Sequence, residues 1–205
     1  MTKIKLTKGE LKRQRDALVQ YQRYLPTLQL KKQQLQMEIL QQSQALESIR
    51  QKQAAKRNEI ERWAGLLSDR GVDLKPWVKP EDIFSSARNI AGVDLPIFER
   101  VDFKVAEYDL FIMPLWVDLG LEALKALVSL REEIKVILKG IEVLRGELRI
   151  TTQRVNLFEK VKIPEAKEAI RLIKIYIGDQ MTNAVGRCKI AKRKIEALEL
   201  SEAIA

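Results

Sequence analysis

From Leu11 to Leu67 the chain marks out one series by alternating steps of three and four: Leu11, Gln14, Leu18, Tyr21, Leu25, Leu28, Lys32, Leu35, Ile39, Gln42, Leu46, Ile49, Gln53, Lys56, Ile60, Trp63 and Leu67. Twelve of these seventeen positions are apolar, in a single register over eight heptads, which predicts a long helix with one narrow apolar stripe suited to a coiled coil. Thr7 to Glu10 reads T-x-x-E, a capping box that starts the helix. No glycine interrupts Glu10 to Ala64, so the arm should be roughly 80 Å or more long. Pro26 should kink it without ending it, because the stripe continues in phase through Leu28 and Leu35. The polar members Lys32, Gln42, Gln53 and Lys56 read as snorkelling side chains or amide pairs, or else as groups that set register or face a third chain.

A second stripe runs through Leu127, Leu130, Ile134, Ile137, Ile141, Leu144, Leu148, Val155 and Phe158, with Thr151 as its polar member. It predicts a helix from Asp118, read as an N-cap, to about Leu200. Gly120, Gly140, Gly146, Gly178 and Gly186 each lower its intrinsic helicity by roughly 1 kcal/mol relative to alanine, so this arm depends on its partner more than the first does. Beyond Pro164 the stripe resumes in a shifted phase as Ala166, Ile170, Ile173, Ile177, Met181, Ala184, Cys188, Ala191, Ile195 and Leu198, with one extra residue between Ile173 and Met181 that reads as a further phase slip. Cys188 on this stripe is expected to be a small buried apolar residue.

Between the arms, Gly71, Pro76, Pro80, Gly92, Pro96 and Pro114 break the rhythm. Three segments result: residues 1–70, a first coiled-coil helix; 71–117, a link; and 118–205, a second coiled-coil helix. In the link, Glu81 to Asn89 reads as a short helix. Val93, Leu95, Ile97 and Val101, Phe103, Val105 read as two short strands around Phe98-Glu99-Arg100. The alternative is an irregular loop packed on the helices by Trp77, Phe84, Phe111 and Trp116. The expected fold is dominated by helix: a long antiparallel two-helix coiled coil with a short β-hairpin or irregular module at the link end. Ile97, Phe98, Val101 and Phe103 sit in a segment too short to bury both faces of a hairpin, and so form a candidate partner-binding surface.

Composition narrows the function. Aromatic residues are only 6% and charged residues 32%, so the apolar content is spent on stripes rather than on a globular core. With no histidine and a single cysteine, Cys188, the chain lacks the commonest general base and any multi-cysteine metal set, so no catalytic, cofactor or metal site is expected. No apolar run reaches the ~18 residues of a membrane span, and the start lacks a secretory signal. The net charge of +9 is uneven: residues 1–70 hold 15 Lys and Arg against 7 Asp and Glu, the link 5 against 8, and residues 118–205 hold 17 against 13. If the arms pair antiparallel, both termini meet at a basic tip. There Lys3, Lys5, Lys8, Lys12, Arg13 and Arg15 would join Arg187, Lys189, Lys192, Arg193 and Lys194. Such a tip is a solvated helix end, a plug for an acidic protein socket, or a nucleic-acid footprint.

Arg154-Val155-Asn156-Leu157-Phe158-Glu159 with Ile163-Pro164 resembles the R-V-N-A-L-E-x-x-x-I-P signature of the D subunit of rotary V-type (A/V-type) ATPases. The opening L-T-K-G-E-L-K-R, the central Ile90-Ala91-Gly92-Val93 with Leu95-Pro96-Ile97-Phe98-Glu99, and the basic R-C-K-I-A-K-R-K-I-E near the C-terminus agree with that family in place and order. The resemblance implies a non-catalytic rotor shaft. Its terminal tip would stand inside a hexamer of catalytic and nucleotide-binding subunits, and the small F subunit of the stalk would clasp the lower coiled coil. The link would dock on a funnel-shaped subunit above the membrane ring. The chain would then be cytoplasmic and peripheral to the membrane, and nucleic acid would be an unlikely partner. The competing reading is a free-standing basic coiled coil that binds nucleic acid or tethers partners, which leaves the foot-like link without a purpose.

Overall fold

The computed structural model describes residues 5–68, 74–105, 107–108 and 113–204. The long helix α1 spans Lys8–Glu61, followed by a 3₁₀ turn over Ala64–Ser68 and a short helix α2 over Lys75–Val78. Strands β1 (Pro80–Ile90) and β2 (Val93–Phe103) form an antiparallel hairpin. Helix α3 covers Trp116–Leu157, a π turn covers Phe158–Lys162, and helix α4 covers Ile163–Ile204. Two compact units result, residues 30–152 and residues 1–29 with 153–205. Among the expectations, those on Lys3, Gly71 and Phe111 lie outside the described residues.

The first stripe is realised over its described positions. Every described position of the series from Leu11 to Trp63 is buried or half-buried, including Lys32, Gln42, Gln53 and Lys56. The Thr7 hydroxyl accepts from the Glu10 amide at 3.3 Å, the cap that T-x-x-E predicts. Helix α1 continues through Pro26. In α3, Ile141, Leu144, Thr151 and Val155 are buried on the predicted stripe. The helix starts at Trp116, two residues before the predicted cap, so Asp118 lies inside its first turn, where a carboxylate complements the helix dipole.

In the unit of residues 30–152, Leu35 of α1, Val93 and Leu95 of β2 and Leu144 of α3 form one buried cluster, flanked by Ile39, Ile90, Ala91 and Leu148. Leu35 and Leu144 have no exposed surface at all, and burying each contributes about 2 kcal/mol. The start of α3 lies beside the end of the first arm. A Cβ added at Gly120 would sit 3.2 Å from the Trp116 ring and 3.5 Å from that of Trp63, so the absence of a side chain there lets the indoles close on the helix. With Leu144 farther along α3 against Leu35 earlier on α1, the two helices pair antiparallel.

The hairpin is present, but its parts differ from the expected ones. Residues 81–89 belong to a strand, not a helix, and Val93 to Phe103 form one continuous strand rather than two. The turn is Ala91-Gly92, with φ of 52° and 75°. Two consecutive residues with positive φ make the kind of two-residue turn whose twist suits a hairpin, and glycine takes that conformation without a Cβ penalty. Asn89 locks the turn: its Oδ1 accepts from the Gly92 amide at 3.1 Å and its Nδ2 donates to Asp94 at 2.6 Å. Phe98-Glu99-Arg100 is a bulge, since Phe84 pairs with Arg100 and Ser85 with Phe98, leaving Glu99 unpaired.

The second unit shows what shifts the phase of the stripe past Pro164. Helix α4 is unbroken from Ile163 onward, so the shift has its cause before it. That cause is the π turn, closed by the Ile163 amide donating to the Phe158 carbonyl five residues back. Pro164 explains its position. Proline has no amide to donate, and its ring crowds the carbonyl four residues earlier in α geometry. Tyr21 of α1 tilts on Phe158 with ring centroids 5.3 Å apart, and Val155, Ala166, Ala169 and Ile173 are buried.

Candidate interaction surfaces

The link-end candidates all lie on β2. Ile97 is exposed, whereas Phe98, Val101 and Phe103 are half-buried. The strand pairing separates them: Phe98 opposite Ser85 and Val101 opposite Ile83 share one face, while Ile97 opposite Ser86 shares the other with Phe84. On the first face, Phe103 lies beneath the Lys125 ammonium at 5.8 Å. On the second, the Arg100 guanidinium covers the Phe84 ring at 4.7 Å and pairs with Asp102 at 3.4 Å. Sequence pattern alone misses Ile83 and Phe84, both more than a third exposed, because it assigns them to a helix. The β2 alternation could have found their partner strand, since Val93 and Leu95 face a core while Asp94 does not. Leu30, Met37 and Leu40 on the outer side of α1 also border a groove shared with Arg88 and Ala91 at the hairpin tip.

Below the hairpin, aromatic groups tie the link to α3. Tyr108 stacks at a tilt on Trp77, ring centroids 5.1 Å apart, and its hydroxyl donates to Asp118. That hydrogen bond, more than the small desolvation or the carboxylate charge, holds the Tyr108 pKa above the ordinary phenol value. A raised pKa means that the tie is intact below the usual phenol range and is lost as pH rises through the elevated value. Of the four tyrosines, Tyr108 is therefore expected to ionise late in an ultraviolet titration, and Tyr108→Phe should remove that late step. A titration unchanged by Tyr108→Phe would refute the assignment.

The basic-tip residues lie in the unit of residues 1–29 and 153–205. Lys8 and Lys12 are exposed on the first turns of α1, and Arg187, Lys189, Lys192 and Arg193 are exposed on α4. They are not side by side. Lys8 lies 13 residues before Tyr21, the partner of Phe158, which is about 20 Å of helix. The same distance past Phe158 ends near Arg171, well short of Arg187. Burial agrees: Ile173 is the last buried side chain among the described residues of α4, and every described side chain from Gly178 to Ala197 is exposed. Cys188 is accordingly exposed rather than buried. Its stripe lies beyond the reach of the α1 residues described. Met181, Val185, Ile190 and Ile195 are each more than half exposed on the same stretch.

Among the described residues no three histidine, cysteine, aspartate or glutamate side chains converge as a metal site, and no helix is long and apolar enough to cross a membrane. The described residues present two surfaces to other molecules, a hairpin fixed on paired helices and an exposed, basic stretch of α4.

Residues 10–193 match the family model for the D subunit of ATP synthase. The V-type ATP synthase D subunit of Borreliella burgdorferi is 46% identical over 195 residues, covering 95% of this chain and 96% of that protein. The subunits of the same name from Chlamydia pneumoniae and Chlamydia muridarum are 33% identical over 201 residues and 34% identical over 200. They cover 94% and 95% of this chain, and 93% and 97% of their own lengths.

Proposed function

This chain belongs to the family of ATP synthase D subunits, and from that premise we propose that it is the central rotor shaft of a V-type ATP synthase, carrying torque between a nucleotide-hydrolysing hexamer and an ion-conducting membrane ring. The observation that carries the reading is the end-to-end match at 46% identity, which includes both helical arms and the hairpin. Stiffness supports it. Within residues 30–152, two paired helices resist bending far better than one, and the hairpin packed into their core gives that unit a part that can be gripped. The bare basic end of α4 suits insertion into an acidic bearing inside the hexamer. The small F subunit would clasp the coiled coil near the hairpin, and the link end would rest on the funnel-shaped subunit above the ring. In this reading the chain has no catalytic group of its own, and it sits at the membrane only through its partners.

The test is affinity purification of the tagged chain from gently solubilised membranes. The nucleotide-binding subunits and a small stalk subunit are expected to arrive with it in fixed ratio, and the ATPase activity should follow the tag. Recovery of the chain alone, or with nucleic acid that is shed as salt is raised, would overturn the rotor reading.

A further inference from the structure

The π turn before Pro164 has two properties that the shaft role by itself does not call for. The first is phase. The inward positions run Val155, Phe158, Ile163, Ala166, Ala169 and Ile173, all buried or half-buried, so the step from Phe158 to Ile163 is five residues where every other step is three or four. A regular α-helix would put Lys162 inward at that point and swing everything after it by about 100°. The turn keeps exposed Lys162 outside and carries the stripe across the extra residue. The second property is hydrogen bonding. Pro164 cannot donate, so one carbonyl of this turn has no backbone amide to receive. Glu159, Lys160, Val161 and Lys162 are all exposed, so water can take over the bonds of an opened turn. On the inner side Phe158 is held by its ring contact with Tyr21.

We propose that Phe158–Lys162 is a compliant joint built into the helix, at which α4 twists and bends more easily than anywhere in the regular helix on either side. Opening a regular turn breaks i to i−4 bonds that nothing replaces at once. Here one such bond is already missing, the loop of the turn is wider, and its outer wall is solvent. The joint is thus soft in hydrogen bonding yet fixed in phase, because reverting to α geometry would take Ala166, Ala169 and Ile173 out of the core. The inference concerns the isolated chain and stands whether or not the rotor reading holds.

Amide hydrogen exchange on the full-length chain tests it. Amides from Glu159 to Ile163 are expected to exchange about tenfold or more faster than those of Arg149 to Arg154 and of Ala166 to Arg171 on either side. A variant lacking Lys160 and carrying Pro164→Ala makes the step from Phe158 to Ile163 four residues and restores the amide. It should slow exchange in the turn to the rate of its neighbours. Pro164→Ala alone, which keeps the chain length, should slow exchange partly, and it decides the matter if the deletion variant does not fold. Exchange in the native turn equal to that of its neighbours, or exchange that Pro164→Ala leaves unchanged, would overturn the proposal.

Discussion

Removing residues 187–205 should leave the helical fold as stable as before while, under the proposed rotor role, uncoupling ATP hydrolysis from ion transport. Stability is expected to change by no more than about 0.5 kcal/mol, because the described side chains from Arg187 to Ala197 are all exposed and contribute no packing. The small stalk subunit proposed to clasp the coiled coil near the hairpin should remain bound, since nothing there is touched. Function should change, because about 28 Å of helix is lost from the end proposed to work inside the hexamer. ATP hydrolysis should continue while ion transport per ATP falls, a split that a destabilised protein would not produce. The measurement compares ATP-driven transport with hydrolysis in complexes assembled with the intact and shortened chains, alongside denaturant unfolding of each chain alone. Unchanged coupling would remove the bare helix end from the mechanism and leave its lysines and arginines as a solvated surface.

Leu144→Ala is expected to produce the largest loss of stability of any single truncation in the core, about 3–4 kcal/mol. Leu144 is fully buried and meets α1 and β2 at once through Leu35, Val93 and Leu95. None of these neighbours can close the resulting cavity without dragging a second element with it, which places the cost in the upper part of the range for leucine truncation. Against the ~5–15 kcal/mol typical of a folded domain, that is a large fraction. Val143→Ala, one position away on the more exposed side of α3, should cost under about 1 kcal/mol. Circular dichroism during denaturant unfolding distinguishes them, and similar midpoints for the two variants would mean that the cluster is not the core of its unit.

Heptad counting reads the paired helices well, and the reason is physical. A stripe of leucine and isoleucine at steps of three and four has few ways to be buried other than against another such stripe, so each described position from Leu11 to Trp63 lies inward. The same counting fails where burial is not the deciding force. Strand β1 is exposed on both faces along nearly its whole length. Its polar sequence carries no period, and only the Asn89-locked turn at Ala91-Gly92 fixes it as a strand. Counting finds the stripe in a shifted phase past Pro164, yet it does not identify the turn that makes the five-residue step from Phe158 to Ile163. A π turn is a hydrogen-bonding solution, and side-chain periodicity does not register it. Cys188 is misplaced by periodicity for a third reason. A stripe tells which side of a helix would meet a partner but not whether the partner reaches that far. The hairpin surface is half legible: Ile97 is exposed as expected, while Phe98, Val101 and Phe103 are partly covered, and Ile83 and Phe84 carry no signal of their own.

Long heptad helices have a weakness that short globular cores do not share. One leucine stripe fits against another nearly as well after sliding by a whole heptad, about 10 Å, so many alignments lie close in energy and a load along the axis favours slippage. The seating of the hairpin removes that degeneracy. Val93 and Leu95 enter the seam beside Leu35 and Leu144, and Pro96 approaches the surface of α3 at Gly140, with 3.9 Å from the proline ring to the position a Cβ would take. A slide by one heptad would present Glu147 and Thr151 to these side chains in place of Gly140 and Leu144, and the strand could not follow without leaving its own partner. The hairpin therefore acts as a key in a keyway: within residues 30–152 it admits one alignment of the paired helices and bars the sliding that a stripe alone would permit.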